Sequence, residues 1–382
     1  MNIQPSSYTA RQGNRHYQVP AKNAEQAASY DINGDRRVTL GEIKERLQAG
    51  GLHPDMTANL GDFAVEIRQG LLERPSPHVD HYPTSKEIEA DLKALVKAHP
   101  DKAELVTIGK TEDGTPIKAL HVSADVRSKE TSAKPSVIVT GTVHAREWTT
   151  NGAVTTAAER YLNGAAPEAM ENLEVWFVPN ANPDGYEHSR NVDPMWRKNT
   201  SRDSAGEIVG VDLNRNFPFQ YRTAGDTSRS TSDDLGASDD PAALTYRGQS
   251  PLSENESQAI KSLIDQEGDA VGLLDVHGFG RMLLVNEGNF DVSREDYNEI
   301  ANAMNEAMGP LNYAVMTDVD LYPTTGGLGT YADSQGLVGI TLEMGTSFQP
   351  SPARAEREIN RAADSIVEFV RQMEERVPRP VF

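Results

Sequence analysis

The chain has 382 residues, room for one large domain and a smaller one, and carries 37 basic against 57 acidic side chains, a net charge of −20. So acidic a chain is a poor match for nucleic-acid phosphates or an anionic membrane, and it contains no run of about 18 apolar residues that could span one. The 37% hydrophobic content suits a globular core, while the absence of cysteine removes disulfides, thiolate ligands, iron–sulfur clusters and cysteine nucleophiles together, leaving His and carboxylate to hold any metal.

Residues 1–24 lack the apolar run of a secretory signal. Residues 25–73 read as short helices with Gly-rich breaks, so residues 1–75 are expected to form a small, mainly helical module. Residues 1–80 hold 9 basic and 10 acidic side chains, so the excess negative charge belongs to the rest of the chain. Within this module Asp31, Asn33, Asp35, Thr39 and Glu42 place side-chain oxygens, and Arg37 a carbonyl, at the spacing of an EF-hand-type calcium loop. Val38 is apolar where such loops pair, but Arg36 stands where glycine makes the sharp turn. The competing reading is an Asn33-Gly34 turn into a helix capped by Thr39 and Glu42. A poorer echo runs through Asp55, Thr57, Asn59 and Glu66. The proline-rich stretch that follows predicts a linker over 76–84.

From residue 85 to 382 the rhythm changes. SKEIEADLKALVKAH (85–99) predicts an amphipathic helix with Ile88, Leu92, Leu95 and Val96 on one stripe and Ser85 as N-cap. Strand-like runs follow: ELVTIGK, PIKALHV, SVIVTGTVH, NLEVWFVPN, AVGLLDVHG and LVGITLEMG. Helices are predicted between them over 149–162, 253–266 and 293–308. Strands alternating with helices predict an α/β domain, its mixed, largely parallel sheet covered on both faces.

The ends of those strands carry the chemistry. SVIVTGTVH runs into His144, with Glu147 three residues on; GLLDVH ends in His277; GITLE ends in Glu343. Catalytic groups gather outside the carboxyl ends of strands in open α/β sheets. Two imidazoles and one carboxylate would leave the fourth position of a zinc site to water, with Glu343 an unligated carboxylate available to it as general base. The other seven His (16, 53, 78, 81, 99, 121 and 188) read as loop or helical polar positions.

HAREW (144–148), NPDG (182–185), MWRK (195–198), VDLNRN (211–216), DVHG (275–278), LYPTTGG (321–327) and LEMG (342–345) occur in that order. Together they resemble the zinc carboxypeptidases of the carboxypeptidase A type, the M14 metallopeptidases, over about residues 78–382. The resemblance implies a catalytic domain over 85–382 and one zinc bound by His144, Glu147 and His277. It further implies Glu343 as general base, Arg197 as the arginine that polarises the scissile carbonyl, and Asn214 with Arg215 as the grip on a substrate's terminal carboxylate. Tyr322 would be the mobile tyrosine closing over that end, Arg146 an auxiliary subsite arginine, and Asp212 a carboxylate orienting His144. The implied partner is a peptide or protein with a free C-terminus; the sequence leaves the location open between extracellular and cytoplasmic, with family resemblance and the calcium-like loop slightly favouring extracellular. A guanidinium fork suits a planar carboxylate, and a carboxylate behind a metal-bound imidazole fixes its tautomer.

Two departures from the family pattern bear on the substrate pocket: Gly278-Phe279 follows the third ligand where many members have Ser-Tyr, and Met-Gly-Thr follows Glu343. No Asp or Glu lies between Tyr322 and Tyr331. A buried cation without a counter-charge is costly, so neutral apolar or aromatic C-terminal residues are expected, unless Asp318, Asp320 or Glu287 supplies the charge. Two other functions fit the same motifs: an amidase or peptidase acting on cell-wall peptides or side-chain glutamyl bonds, and a non-catalytic binding protein. The second is disfavoured because ligands, base and oxyanion arginine are all present.

Overall fold

A computed structural model describes residues 9–12, 15–18, 37–38, 79–127, 134–219, 221, 236–286, 292–311, 313–317 and 325–376. In the N-terminal region these are strands: β1 (Thr9–Gln12) pairs antiparallel with β2 (Arg15–Gln18) and parallel with β3 (Arg37–Val38). Arg37–Val38, inside the span 25–73 expected to be helical, is thus strand; the rest of that span, with the oxygen donors Asp31, Asn33, Asp35, Thr39 and Glu42, lies outside the described residues, and nothing in the structure supports calcium there.

The main domain begins before the predicted helix. Tyr82, at the end of the expected linker, is buried against Trp148 with ring centroids 5.4 Å apart, and its hydroxyl donates to Pro350 O at 2.8 Å. Helix α1 (Ser85–Ala98) follows, burying Ile88 and Leu92 as its stripe predicts. Its N-cap is Thr84, in a capping box with Glu87, rather than Ser85. Ser85 instead receives a Glu187 carboxylate on its N–H at 2.6 Å.

Eight strands then form one sheet, in the order β10-β9-β11-β8-β6-β7-β5-β4. They are β4 (Ala103–Lys110), β5 (Pro116–Val122), β6 (Ser136–Gly141), β7 (Glu174–Val178), β8 (Ala270–Gly278), β9 (Met282–Val285), β10 (Ala314–Thr317) and β11 (Val338–Met344). The central strands β11, β8, β6 and β7 run parallel, and antiparallel pairs lie towards both edges. Strands β6 and β8 read as continuous apolar runs because both their faces are covered.

Two cores flank the sheet. One lies under α2 (Thr150–Leu162), α3 (Pro167–Asn172), α6 (Arg294–Ala307) and the long C-terminal α8 (Pro352–Arg376). The other lies under α5 (Asn255–Gln266) and α7 (Leu328–Ser334). Helix α8 was not among the predicted elements; it buries Ala362, Ile366, Phe369, Val370 and Met373 along one stripe. Strands β9 and β10, of 4 residues each, were likewise too short to show an alternation. Among the described residues no helix is long and apolar enough to cross a membrane.

Candidate active site

The site stands at the carboxyl ends of three neighbouring central strands. Strand β6 stops at Gly141, earlier than its apolar run predicts, and the chain then turns to bring His144 over the sheet. That turn is built locally. A Cβ on Gly141 would meet Val154 Cγ2 at 3.0 Å and the carbonyls of Pro179 and Thr150 at 3.1 and 3.2 Å, a tight fit that favours glycine at the strand end. Thr142 adopts φ +54°, a left-handed conformation that is unfavourable for a β-branched residue. It is held there because its N–H donates to Thr150 Oγ1 at 2.9 Å and its hydroxyl to Pro179 O at 3.0 Å. The NPDG motif fastens the other side. Asn182, fully buried as the N-cap of α4 (Pro183–Asn191), donates to the carbonyls of Val143 at 3.1 Å and Lys198 at 3.2 Å. The two segments carrying His144 and Arg197 are thereby held together, and Ala145 N–H donates to Arg197 O at 2.9 Å.

Strand register supplies the remaining groups. His277 on β8 lies directly beside Glu343 on β11. His144 Nδ1 is 2.9 Å from Glu147 Oε1, His277 Nδ1 is 3.1 Å from Glu147 Oε2, and the two Nδ1 atoms are 3.0 Å apart. His144, Glu147 and His277 are all buried, and they form a group whose ligand atoms lie within 4.8 Å of one another. Each ring's far nitrogen faces a carboxylate: His144 Nε2 is 3.1 Å from Asp212 Oδ1, and His277 Nε2 is 2.6 Å from Asp275 Oδ2. In the neutral tautomers that donate Nε2–H outward, both Nδ1 atoms present lone pairs towards two carboxylate oxygens. In that state the converging atoms are a donor set for a cation, and two imidazoles with one carboxylate fit zinc.

Without a cation, the surrounding negative charge favours a second proton on His277 instead. Burial lowers the basicity of His277, but Asp275 and Glu147 outweigh it and hold its pKa well above the usual imidazole range. For His144 burial prevails, reinforced by the Arg197 charge, and its pKa is lowered. Burial would raise Glu147, yet the two imidazoles beside it hold it below the ordinary carboxylate range. For Glu343 burial prevails and pushes it up to about 7, with Glu147 adding to the rise while His277 and Arg197 oppose it.

Asp212 is the hub of the inner face. Besides His144 it accepts from Arg197 Nε at 2.9 Å and from Asn214 N–H at 3.0 Å. Arg197 therefore sits beside the metal ligands with its guanidinium aligned by a carboxylate. Asn214 lies next to it: its Oδ1 accepts from Leu328 N–H at 2.7 Å and its Nδ2 is 3.3 Å from His277 Nε2. Arg215 is buried and donates from Nε to Gly236 O and from Nη1 to Asn214 O, which anchors its fork by backbone carbonyls. Arg146 is buried with its guanidinium 4.3 Å from the Phe348 ring centroid. Tyr322 lies outside the described residues, as do Asp318, Asp320 and Glu287.

Sequence reasoning missed three contributors. Asp275 was legible only through the period of a strand, which puts residues 275 and 277 on one face. Asn182 was noted as part of a motif but not for its clamp. Phe348 carried no signal. His121 is also corrected: it lies on β5 rather than in a loop or a helix. It is buried between Glu104 and Glu174 at 2.9 and 3.0 Å and stacked on Trp176.

Known proteins are similar to this chain. A metallocarboxypeptidase A-like protein of Trichophyton verrucosum is 33% identical over 225 residues, 56% of this chain and 50% of that protein. Carboxypeptidase A2 of Mus musculus is 27% identical over 272 residues, 70% of this chain and 61% of that protein. The crystal structure of carboxypeptidase A from Helicoverpa armigera matches with a TM-score of 0.67 at 25% identity, covering 88% of this chain and 82% of that one. The chain thus spans half to about three fifths of the length of these two curated relatives. The zinc carboxypeptidase profile of the M14 peptidases matches residues 88–365, from within α1 to within α8 and so across the whole eight-stranded sheet; the chain belongs to that family.

Proposed function

We propose that the protein is a zinc-dependent metallocarboxypeptidase that hydrolyses the C-terminal peptide bond of peptides or proteins. The observation that carries this reading is the buried convergence of His144, Glu147 and His277, with the uncoordinated Glu343 in register beside His277. His144, Glu147 and His277 would hold the zinc, which would supply Lewis acidity to the scissile carbonyl and the attacking water. Glu343 accepts the water's proton and delivers it to the departing amine. A base with a pKa near neutrality can do both. Arg197, aligned by Asp212, offers N–H donors to the developing oxyanion. Asn214 and Arg215 recognise the terminal carboxylate with Tyr322 closing over it, and Arg146 serves an auxiliary subsite.

The wall near the base supports a neutral specificity. Thr341 lies two residues before Glu343 on β11, hence on the same face. A Cβ on Gly329 would approach Thr341 Oγ1 at 3.1 Å, so the missing side chain leaves its space beside an uncharged hydroxyl. Burying an apolar side chain in such a pocket contributes roughly 1.5–3 kcal/mol, whereas an uncompensated cation is penalised. Peptides differing only in the last residue are expected to release Phe and Leu faster than Lys and Arg, while C-terminally amidated controls resist cleavage. Faster release of Lys or Arg overturns the pocket reading. Equal cleavage of amidated controls overturns the carboxypeptidase reading and favours an amidase.

A further inference from the structure

Asp275 lies in the middle of the sheet, fully buried on β8 between the core residues Leu274 and Val276. A carboxylate there is costly unless its charge is matched. Its hydrogen-bond partners are few: Oδ1 accepts from Thr140 Oγ1 at 2.7 Å across the β6–β8 pairing, and Oδ2 faces His277 Nε2 at 2.6 Å. Thr140 is neutral, so among the described residues that hydrogen-bond to Asp275 the group able to match the charge is the His277 imidazole, whose other nitrogen faces His144 and Glu147.

We propose that Asp275 is a second positioning carboxylate of the metal centre: braced by Thr140, it fixes the His277 ring with Nδ1 toward the metal and strengthens metal retention. The inference rests on the reading of His277 as a ligand. The alternating direction of strand side chains places Asp275 and His277 on one face, and the strand pairing sets Thr140 opposite Asp275, so the brace is part of the rigid sheet rather than of a loop. The centre then has one aspartate behind each imidazole, Asp212 reached from a 3-10 turn and Asp275 from the adjacent strand position. A hydrogen bond from the far nitrogen fixes the tautomer and raises the basicity of the metal-binding one. Loss of such a partner typically costs 10–100-fold in metal affinity.

A purely structural role would make Asp275 a strand anchor for Thr140, and metal binding distinguishes the two. Asp275→Asn keeps the volume and a carbonyl acceptor but removes the charge. Zinc affinity of the full-length protein, measured by competition with a chromophoric chelator, is expected to fall about 10–100-fold. The metal-free protein should melt at the wild-type temperature or above it, and the absorption bands of the cobalt-substituted site should shift. Unchanged zinc affinity and cobalt spectrum, whatever happens to the melting temperature, overturn the proposal. If Asp275→Asn does not fold, Thr140→Val decides. It releases one side of the brace and should weaken zinc measurably while the protein stays folded, and wild-type affinity in that variant overturns the proposal. Absence of zinc from the wild-type protein would count against the metal reading itself, a result separate from equal affinity in wild type and variant.

Discussion

Glu343→Gln is expected to bind zinc as the wild type does and to lose about 10²–10⁴-fold in kcat. Gln keeps the size and a carbonyl acceptor but cannot take up a proton. Because Glu343 is not among the converging ligand atoms, metal content should not change. The pH profile gives a second check. Burial and the nearby Glu147 charge raise the Glu343 carboxyl to about 7 in the field of the protein alone. A base works only when deprotonated, so kcat/KM should fall as pH drops through that pKa. A bound dication lowers the pKa further, so the acid limb of the loaded enzyme is expected at or below about 7. That limb should vanish in the Gln variant. Near-normal kcat in the variant would remove Glu343 from the mechanism.

Asp212→Ala is expected to give the largest loss of stability, about 3–5 kcal/mol, the usual result of removing one partner from a buried charge pair. Asp212 is wholly buried and accepts from His144, Arg197 and the Asn214 N–H, so its deletion orphans three donors at once. Arg197 is the larger of the two charges matching Asp212 and its side chain is largely buried, so it should account for most of the cost. Burial would raise the Asp212 carboxyl, but Arg197 and then His144 hold it well below its ordinary value. A depressed folded-state pKa contributes stability that is present above the unfolded pKa and is lost as pH falls through the folded one. The full deficit should therefore appear at neutral pH. Urea unfolding of the metal-free proteins measures it without interference from metal loss; a deficit under about 1 kcal/mol would mean that Arg197 and His144 find other partners.

Much of this arrangement was legible in the residues. Helix α1 was set by Ile88 and Leu92 at helical spacing, and β6 and β8 by the nearly continuous apolar runs of doubly covered strands. His144, His277 and Glu343 stood out because each closes such a run. The positions that escaped depend on the third dimension. Asp275 reads as one polar interruption of a core strand until β6 sets Thr140 beside it. Asn182 reads as a helix cap, which it is, but the carbonyls it bridges come from two distant segments. Ser85 and Thr84 are both good capping residues, and only the reach of Glu87 back to Thr84 decides between them. His121 resembled the surface histidines until two glutamates and a tryptophan from neighbouring strands enclosed it.

The central claim is a single zinc at the junction of β6, β8 and β11, and metal stoichiometry tests it most directly. Elemental analysis of the purified protein, before and after dialysis against a chelator, should show one zinc per chain that leaves together with peptidase activity and returns with it on zinc addition. His277→Ala, analysed alongside, should lack the metal from the start. Active protein containing no stoichiometric transition metal would contradict the account, and so would a His277→Ala variant that keeps its zinc.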